Sequence, residues 1–338
     1  MADREKGSKG YTLDEIAREL GYNKTTISRV ISGKGRISDE TRRRVLAFIE
    51  ERGFRPNALA RSLANSRPYN VGVLVPRDAG LMESGFLNRC VTGICAAATA
   101  RDFDVLMVID DGDDLSQLRR VLDNRKVEGV ICVRSTRDPR AVALTEAHGV
   151  PCAVIGPADA GVLSVDNDNA GACRALTAEV LGRGQLARPA LLGGETDHRV
   201  TQSRLEGFLA GCAQCSVTPD PGLIFMDCRA DTLDGSVRAL LEAGADAVFC
   251  MDEVLCALLM MRLKDRGVAV PRDLQVACFY DGAALEYMTP PVTALRFDAA
   301  ALGFHACDHL LRRLEGEAVE SAVLGEYSIV MRQSTGDP

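Results

Sequence analysis

No stretch of about 18 apolar residues occurs in the chain, which excludes an ordinary membrane-spanning helix. The opening residues Met1-Ala-Asp-Arg-Glu-Lys-Gly7 are polar and lack the apolar core of a secretory signal, so a cytoplasmic protein is expected. Nucleotide-cradling motifs are missing too. There is no G-x-G-x-x-G after a strand and no Walker-type loop, and Gly193-Gly194 is too short to cradle phosphates by itself. Metal spacings are equally scarce. His305 and His309 share a helical face, but no H-E-x-x-H pattern joins them and no third ligand is apparent, so a solvated helix face is the reading. Cys212 and Cys215 form a lone C-x-x-C, and a zinc site needs a second pair or a nearby His. The run Asp110-Asp-Gly-Asp-Asp114 lacks the Glu that closes a calcium loop and reads as a strand-to-helix connection whose acids cap the helix. With no catalytic constellation left, neither an enzyme nor a cofactor nor a metal centre is expected.

What the chain does have is length for two or three domains, 338 residues, and enough apolar content, 46%, to bury their cores. The 12 Cys are scattered singly among aliphatic neighbours and read as small core residues. Charge is unevenly divided. Residues 1–67 hold 15 Lys+Arg against 9 Asp+Glu, net +6; subtracting from the chain totals of 40 and 47 leaves 25 against 38, net −13. A small basic head on an acidic body suggests that the head meets a polyanion.

In that head, Thr12 and Glu15 make a capping box that starts a helix. Leu13, Ile16, Ala17 and Leu20 follow helical spacing, and Gly21 supplies the positive φ of a tight turn. Asn23 caps a second helix whose Ile27, Val30 and Ile31 point inward. Lys24, Thr25, Ser28 and Arg29 are left outward near its N-terminus, where a recognition helix meets base edges and phosphates. A third helix opens at Ser38, and Val45, Leu46, Phe48 and Ile49 are expected to complete a three-helix core. A small bundle with a merely solvated charged face stays open at this point.

The matching motifs are Thr12-Leu-Asp-Glu-Ile-Ala17, Thr26-Ile-Ser-Arg-Val30, Ile37-Ser-Asp-Glu-Thr-Arg42 and Gly53-Phe-Arg-Pro-Asn-Ala-Leu-Ala-Arg-Ser-Leu63. Through them the head resembles the DNA-binding domain of the LacI/GalR family of bacterial transcription regulators. The resemblance implies that Thr12, Asn23, Lys24, Thr25, Thr26, Ser28 and Arg29 serve DNA binding. It also implies a hinge helix from Asn57, with Ala60 and Leu63 on its minor-groove face and Leu63 as an apolar wedge between base steps. Read without the family, the residues after Pro56 show only a short amphipathic helix, marginal in water by itself.

Beyond Ser66-Arg-Pro-Tyr-Asn70, apolar strand-like runs alternate with helical stretches, the pattern of parallel sheets covered by helices on both faces. The resemblance continues through Val71-Gly-Val-Leu-Val-Pro76, Val165-Asp-Asn167, Tyr287-Met-Thr-Pro-Pro-Val-Thr293 and Met331-Arg-Gln-Ser-Thr335. It implies a body like the periplasmic sugar-binding proteins, two doubly wound parallel-sheet lobes with a small molecule between them. The expected organisation is an all-α helix-turn-helix head (1–56), a hinge helix and linker (57–68) and an α/β body (69–338). Lobe one would take about 69–165 and 298–325, and lobe two about 166–297 and 326–338.

In the implied cleft, Arg204 matches the family's arginine three residues before a Gly, and a helix-cap or interlobe salt bridge is its plain structural alternative. Three positions depart from the family: Met251 stands for an amide, and Tyr280 and Gly156 stand for acids. With Phe86 and Leu87 added, Phe86, Leu87, Gly156, Arg204, Met251 and Tyr280 form the expected effector site. It should be poor in acids, with Arg204 uncompensated, so an anionic or partly apolar effector is favoured over a neutral sugar. The expected protein is a dimeric repressor that binds a near-palindromic operator in double-stranded DNA under small-molecule control, without membrane contact. No heptad-patterned helix follows the last strand, so no tetramerising coil is expected. Two other readings stay open: a small-molecule binding protein whose basic head is a protein-interaction module, and a regulator that has lost its effector.

Overall fold

The computed structural model describes residues 11–31, 36–52, 67–77, 85–110, 114–184 and 186–336. The chain divides into two compact units, Met1–Pro68 and Tyr69–Pro338.

Among its described residues the first unit holds three helices, α1 (Leu13–Leu20), α2 (Lys24–Ile31) and α3 (Asp39–Glu51). Each begins on a side-chain cap. Thr12 and Glu15 close the expected box, with the Thr12 amide 2.7 Å from Glu15 Oε2 and the Glu15 amide 3.3 Å from Thr12 Oγ1. Asn23 Oδ1 accepts from the Thr26 amide at 2.8 Å, and Ser38 Oγ from the Thr41 amide at 3.2 Å. Gly21 turns the chain between α1 and α2 at φ 73°. Ile16, Ala17, Ile27, Val30 and Val45 form the buried core, with Tyr11, Phe48 and Ile49 packed against it. Leu46 does not join it. It is 46% exposed, because it lies a third of a turn from Val45, off the face that Phe48 and Ile49 extend. Arg52 closes the bundle by lying over the rings of Tyr11 and Phe48, 5.5 and 5.3 Å from their centroids. The expected hinge stretch, with Asn57, Ala60 and Leu63, lies outside the described residues.

The second unit contains two six-stranded sheets. The first is built from β1 (Asn70–Pro76), β2 (Asp104–Asp110), β3 (Gly129–Cys132), β4 (Cys152–Ile155), β5 (Leu163–Asn167) and β11 (Ala322–Leu324) in the order β11-β5-β4-β3-β1-β2. The second takes β6 (Pro189–Leu192), β7 (Ile224–Phe225), β8 (Ala247–Cys250), β9 (Gln275–Cys278), β10 (Thr293–Arg296) and β12 (Ser328–Val330) in the order β12-β10-β9-β8-β6-β7. All pairings are parallel except β10 with β12. The chain passes between the sheets after β5, after β10 and after β11. Helices α4 (Gly85–Thr99), α5 (Ser116–Asp123), α6 (Arg140–Ala147) and α12 (Ala299–Leu314) accompany the first sheet. The second has α7 (Asn169–Arg183), α8 (Arg199–Gln214), α9 (Leu233–Glu242), α10 (Glu253–Asp265) and the short α11 (Ala283–Glu286). Apolar clusters lie on both faces of each sheet, as continuous apolar strands require.

Of the acidic run, Asp110 at the end of β2 accepts from the amides of Gln117 and Leu118 at 3.1 and 2.8 Å and so caps α5 as expected, while residues 111–113 lie outside the described residues. Ten of the 12 cysteines are buried, and all are free thiols. Burial pushes Cys90 and Cys212 up to about 12, which leaves them protonated packing residues. The histidine pair departs from expectation. His305 and His309 are half-buried rather than solvated, with ring centroids 6.1 Å apart, and no group of three metal-ligating side chains exists among the described residues.

Two helix pairs are drawn together by glycine. A Cβ on Gly93 would lie 1.9 Å from the Ala300 carbonyl oxygen, and one on Gly303 would lie 2.0 Å from that of Cys90, so α4 and α12 touch backbone to backbone. In the second lobe Gly207 and Gly211 do the same for α7 and α8, with Cβ positions 2.5 Å from Ala170 O and 2.8 Å from Arg174 O. Gly303→Ala should therefore destabilise the body by about 1–3 kcal/mol or more through overpacking. Gly235→Ala, on α9 with nothing within 4 Å, should be neutral or gain up to about 1 kcal/mol. Urea unfolding followed by far-UV circular dichroism separates the two outcomes.

Candidate nucleic-acid interface and interlobe cavity

On the head, Asn23, Lys24, Thr25, Ser28 and Arg29 are exposed, and Thr26 is half-buried. They form the outer face of α2 because Ile27 and Val30 occupy its inner one. Thr12 is exposed at the start of α1, and its hydroxyl is held 2.8 Å from Glu15 Oε2. Thr26 Oγ1 lies 2.9 Å from Asn23 Oδ1, so these two side chains brace the start of α2. The Lys24 ammonium lies 2.8 Å from Asp14 Oδ2 on α1. A helix N-terminus edged by Lys, Thr, Ser and Arg can donate to phosphate oxygens and to base acceptors.

In the body, a cavity of about 770 Å³ lies where the carboxyl ends of both sheets face each other. Phe86, Gly156, Arg204, Met251 and Tyr280 line it, as expected; Leu87 does not. Leu87 is buried in the first-sheet core, because successive residues of α4 point about 100° apart and only Phe86 faces the cleft. Gly156 has φ 112°, and a Cβ there would stand 2.8 Å from Ser135 Cβ, so the backbone at this place has no room for an acid.

Arg204 sits on the α8 face that Gly207 presses against α7, which brings its guanidinium to Asn169. Nε donates to Asn169 Oδ1 at 3.3 Å, and Nη1 donates to the Met251 carbonyl. Asn169 Nδ2 in turn donates to Asp166 Oδ1 at 3.0 Å. Asp166, Asp252 and Glu253 all line the cavity. The expectation of an acid-poor cleft with an uncompensated arginine is thus overturned: Asp166 and Glu253, not singled out from the sequence, carry the charge there. Asp252 caps α10 through the Leu255 amide at 2.8 Å, while Glu253 accepts from the Gly85 amide of the other lobe at 2.7 Å. The signal available in advance was positional: Asp166 falls in the Val165-Asp-Asn167 motif, and Asn169 and Glu253 open helices at carboxyl ends of the sheets.

The electrostatics follow from burial. Burial raises the Asp166 carboxyl to about 6, against the pull of the Asn167 amide and the Arg204 charge. His198, also in the wall, is held down to about 3 by burial and then by Arg134 and Arg204, so it stays neutral. Tyr280 is pushed up by burial and by Glu253. Its hydroxyl is buried without a hydrogen-bond partner among the described residues, and its ring meets Phe86 edge-on at 5.6 Å across the cleft. Such walls offer donors, acceptors and aromatic faces to a small molecule.

The two lobes also grip each other beside the cavity. Arg134 pairs with Glu195 at 2.6 Å, and Arg199 pairs with Asp159 at 2.7 Å and donates to the Thr136 carbonyl at 2.9 Å. Backbone bonds join Arg199 N to Ser135 O and Arg137 N to Asp197 O. Glu195 and Asp159 are exposed, and ion pairs of this kind contribute only about 0–1 kcal/mol each.

Asp166 has a measurable consequence. Its carboxyl titrates at 3.8 in an ordinary setting and at about 6 in the fold. Between those values the native protein keeps a proton that the unfolded chain has released, so stability falls as pH rises through the window. Above it the charged side chain costs the fold its full penalty. Asp166→Asn should therefore raise the unfolding free energy at pH 8 by on the order of 1–3 kcal/mol, shrinking toward zero near pH 4. Urea titrations at the two pH values test this, and a gain independent of pH would assign the effect to something other than the buried charge.

Known proteins match both parts of the chain. Residues 12–57 match the model of the bacterial regulatory proteins, lacI family, and residues 177–335 match a periplasmic binding protein-like domain. The transcriptional regulator CelR of Thermobifida fusca is 28% identical over 96% of this chain and 98% of its own. The repressor PurR of Vibrio atlanticus (strain LGP32) is 23% identical over the same shares. The structure of a CelR–cellobiose complex superposes with a TM-score of 0.73 at 26% identity, covering 96% of this chain and 99% of that one. The lac repressor dimer bound to operator and the anti-inducer ONPF superposes with a TM-score of 0.78 at 22% identity, covering 97% and 100%. The chain thus joins a DNA-binding domain that matches the lacI family to a periplasmic binding protein-like body, the same two-part build as the LacI-family regulators to which it is similar along nearly its whole length.

Proposed function

We propose that the protein is a cytoplasmic repressor that binds a near-palindromic operator as a homodimer and is switched by a small molecule in the interlobe cavity. The observation that carries the reading is the pairing of a capped, solvent-facing α2 rich in donors with a separate cavity of about 770 Å³. Lys24, Thr25, Ser28 and Arg29 meet base edges and phosphates, with Thr12, Asn23 and Thr26 setting the helix start. The resemblance still assigns Asn57, Ala60 and Leu63 to a minor-groove hinge.

Phe86, Gly156, Arg204, Met251 and Tyr280, joined by Asp166, Asn169 and Glu253, hold the effector. Four acids line the wall, Asp166, Glu195, Asp252 and Glu253, against three arginines, Arg134, Arg204 and Arg229, so the wall has no positive surplus to favour an anionic ligand. A neutral, hydroxyl-bearing molecule with one apolar face suits the set better. Its hydroxyls meet Arg204, Asn169 and Asp166, and its apolar face meets Phe86 and Met251. The CelR–cellobiose complex shows a related protein holding such a ligand. Closing on it strengthens interlobe contacts that are individually weak, so a ligand that prefers one lobe angle shifts the population of lobe arrangements.

Two measurements test this. Arg29→Ala should weaken binding to a selected operator by about 1–3 kcal/mol and relax selectivity at one base pair. An equal loss on random duplex would make Arg29 a phosphate contact, and a wild-type protein with no sequence preference would refute the regulator. Thermal shift against neutral saccharides, sugar phosphates and purines should pick out a neutral saccharide, with the shift lost in Arg204→Ala. A sugar phosphate as the sole binder would reverse the assignment of ligand charge.

A further inference from the structure

We infer that Asp14 and Lys24 act together as one reading unit for a G·C base pair, an inference that rests on the DNA-binding reading above. Lys24 is the first residue of α2, and its ammonium lies 2.8 Å from the Asp14 carboxylate in the first turn of α1. Both side chains stand in solvent, 59% and 62% exposed. An ion pair so exposed adds little to folding, and its two ends are displayed side by side at the edge of the recognition helix.

The spacing matches one feature of duplex DNA. On the major-groove edge of a G·C pair, guanine O6 and the cytosine amino group are joined by a Watson–Crick hydrogen bond, so donor and acceptor lie about 2.9 Å apart. Each has one hydrogen-bonding direction left over. Lys24 Nζ donates to O6 and the neighbouring N7, while an Asp14 carboxylate oxygen accepts the spare cytosine N–H. The pair need not separate to do this, so neither charge is stripped of its partner.

An A·T pair fits less well. Its order across the groove is acceptor, donor, acceptor, methyl. The carboxylate over the adenine amino group would sit between two acceptors that repel it, and the ammonium would meet one acceptor, N7 or O4, instead of the adjacent N7 and O6 of guanine. Phosphate fits worst, because the carboxylate repels it. Asp14 therefore both selects the base pair and weakens attachment of Lys24 to backbone of any sequence.

In vitro selection from a randomised duplex library, run with the full chain, tests the assignment. Wild type should enrich a motif with a G·C column in each half-site. Asp14→Ala should relax that column by about tenfold, while raising affinity for random duplex; Lys24→Gln should relax the same column. Glu50→Ala, an equal charge change on the exposed end of α3, should leave every column unchanged. An Asp14→Ala motif identical to wild type overturns the reading unit while leaving the regulator intact. Failure of wild type to enrich any motif instead removes the DNA-binding reading itself.

Discussion

Backbone contact between helices, permitted by four glycines, is the constraint on which the body depends. Gly93 and Gly303 seat α12 against α4, and α12 is the helix that returns the chain from the second sheet to the first. Were that contact opened by a side chain, β11 would lose its fixed approach to β5, and the three passages between lobes would lose their register. Gly207 and Gly211 perform the matching task for α7 and α8. There the result reaches the cavity directly. Arg204 lies one turn from Gly207, so the same close approach that packs the helices carries the guanidinium to Asn169 and, through it, to Asp166. The charge network of the cleft is thus set by helix packing behind it.

A cavity at this place follows from parallel strand order, since loops and helix starts collect at the carboxyl ends of both sheets. Its chemistry then follows from what those ends must do for themselves. Asp252 is spent on capping α10. Glu253 reaches across to the Gly85 amide, and Gly156 is bent into a conformation that L-residues avoid. The Tyr280 hydroxyl is uncommitted, buried with no partner among the described residues, at a cost of about 1–3 kcal/mol unless something supplies one. Together with a carboxyl held near 6 at Asp166, the cleft stores unfavourable free energy that a well-matched ligand can relieve. A site of that kind couples binding to lobe closure more strongly than one already satisfied.

Much of this was legible in the sequence because it is local. A capping box, a Gly at a positive φ and apolar periodicity placed α1 and α2. Strands buried on both faces announced themselves as unbroken apolar runs. β5 did not, since Leu163-Ser-Val-Asp-Asn167 alternates buried and half-buried residues. β10, β11 and β12 are short and owe their pairing to distant segments. α6 is faint in the sequence for a similar reason, as Arg140-Ala-Val-Ala-Leu-Thr-Glu-Ala147 has little amphipathic contrast. The cavity was the hardest part. Positions where the family's acids are absent could be read off one by one, but the compensating Asp166 and Glu253, 87 residues apart in sequence, come to line one cavity only when the two lobes face each other. Leu46 and Leu87 failed more simply, each by one residue's rotation about a helix.

The head works close to the limit of what a small core can hold. Among its described residues five side chains are buried in the core, so hydrophobic burial there supplies a modest share of its stability. Thr12, Asn23 and Ser38 each satisfy amides at a helix start, and caps of this type contribute about 1 kcal/mol apiece. Arg52 adds its guanidinium over two rings and an ion pair with Glu19 at 3.7 Å. The polar residues that fix the helix starts are therefore as important to the fold as the apolar ones. They also constrain function: Asn23 and Thr26 cannot be exchanged freely to alter base preference, because the same atoms set where α2 begins. Specificity is left to vary at Lys24, Thr25 and Ser28, which cap no helix among the described residues, so a new operator can be acquired there with little effect on the bundle.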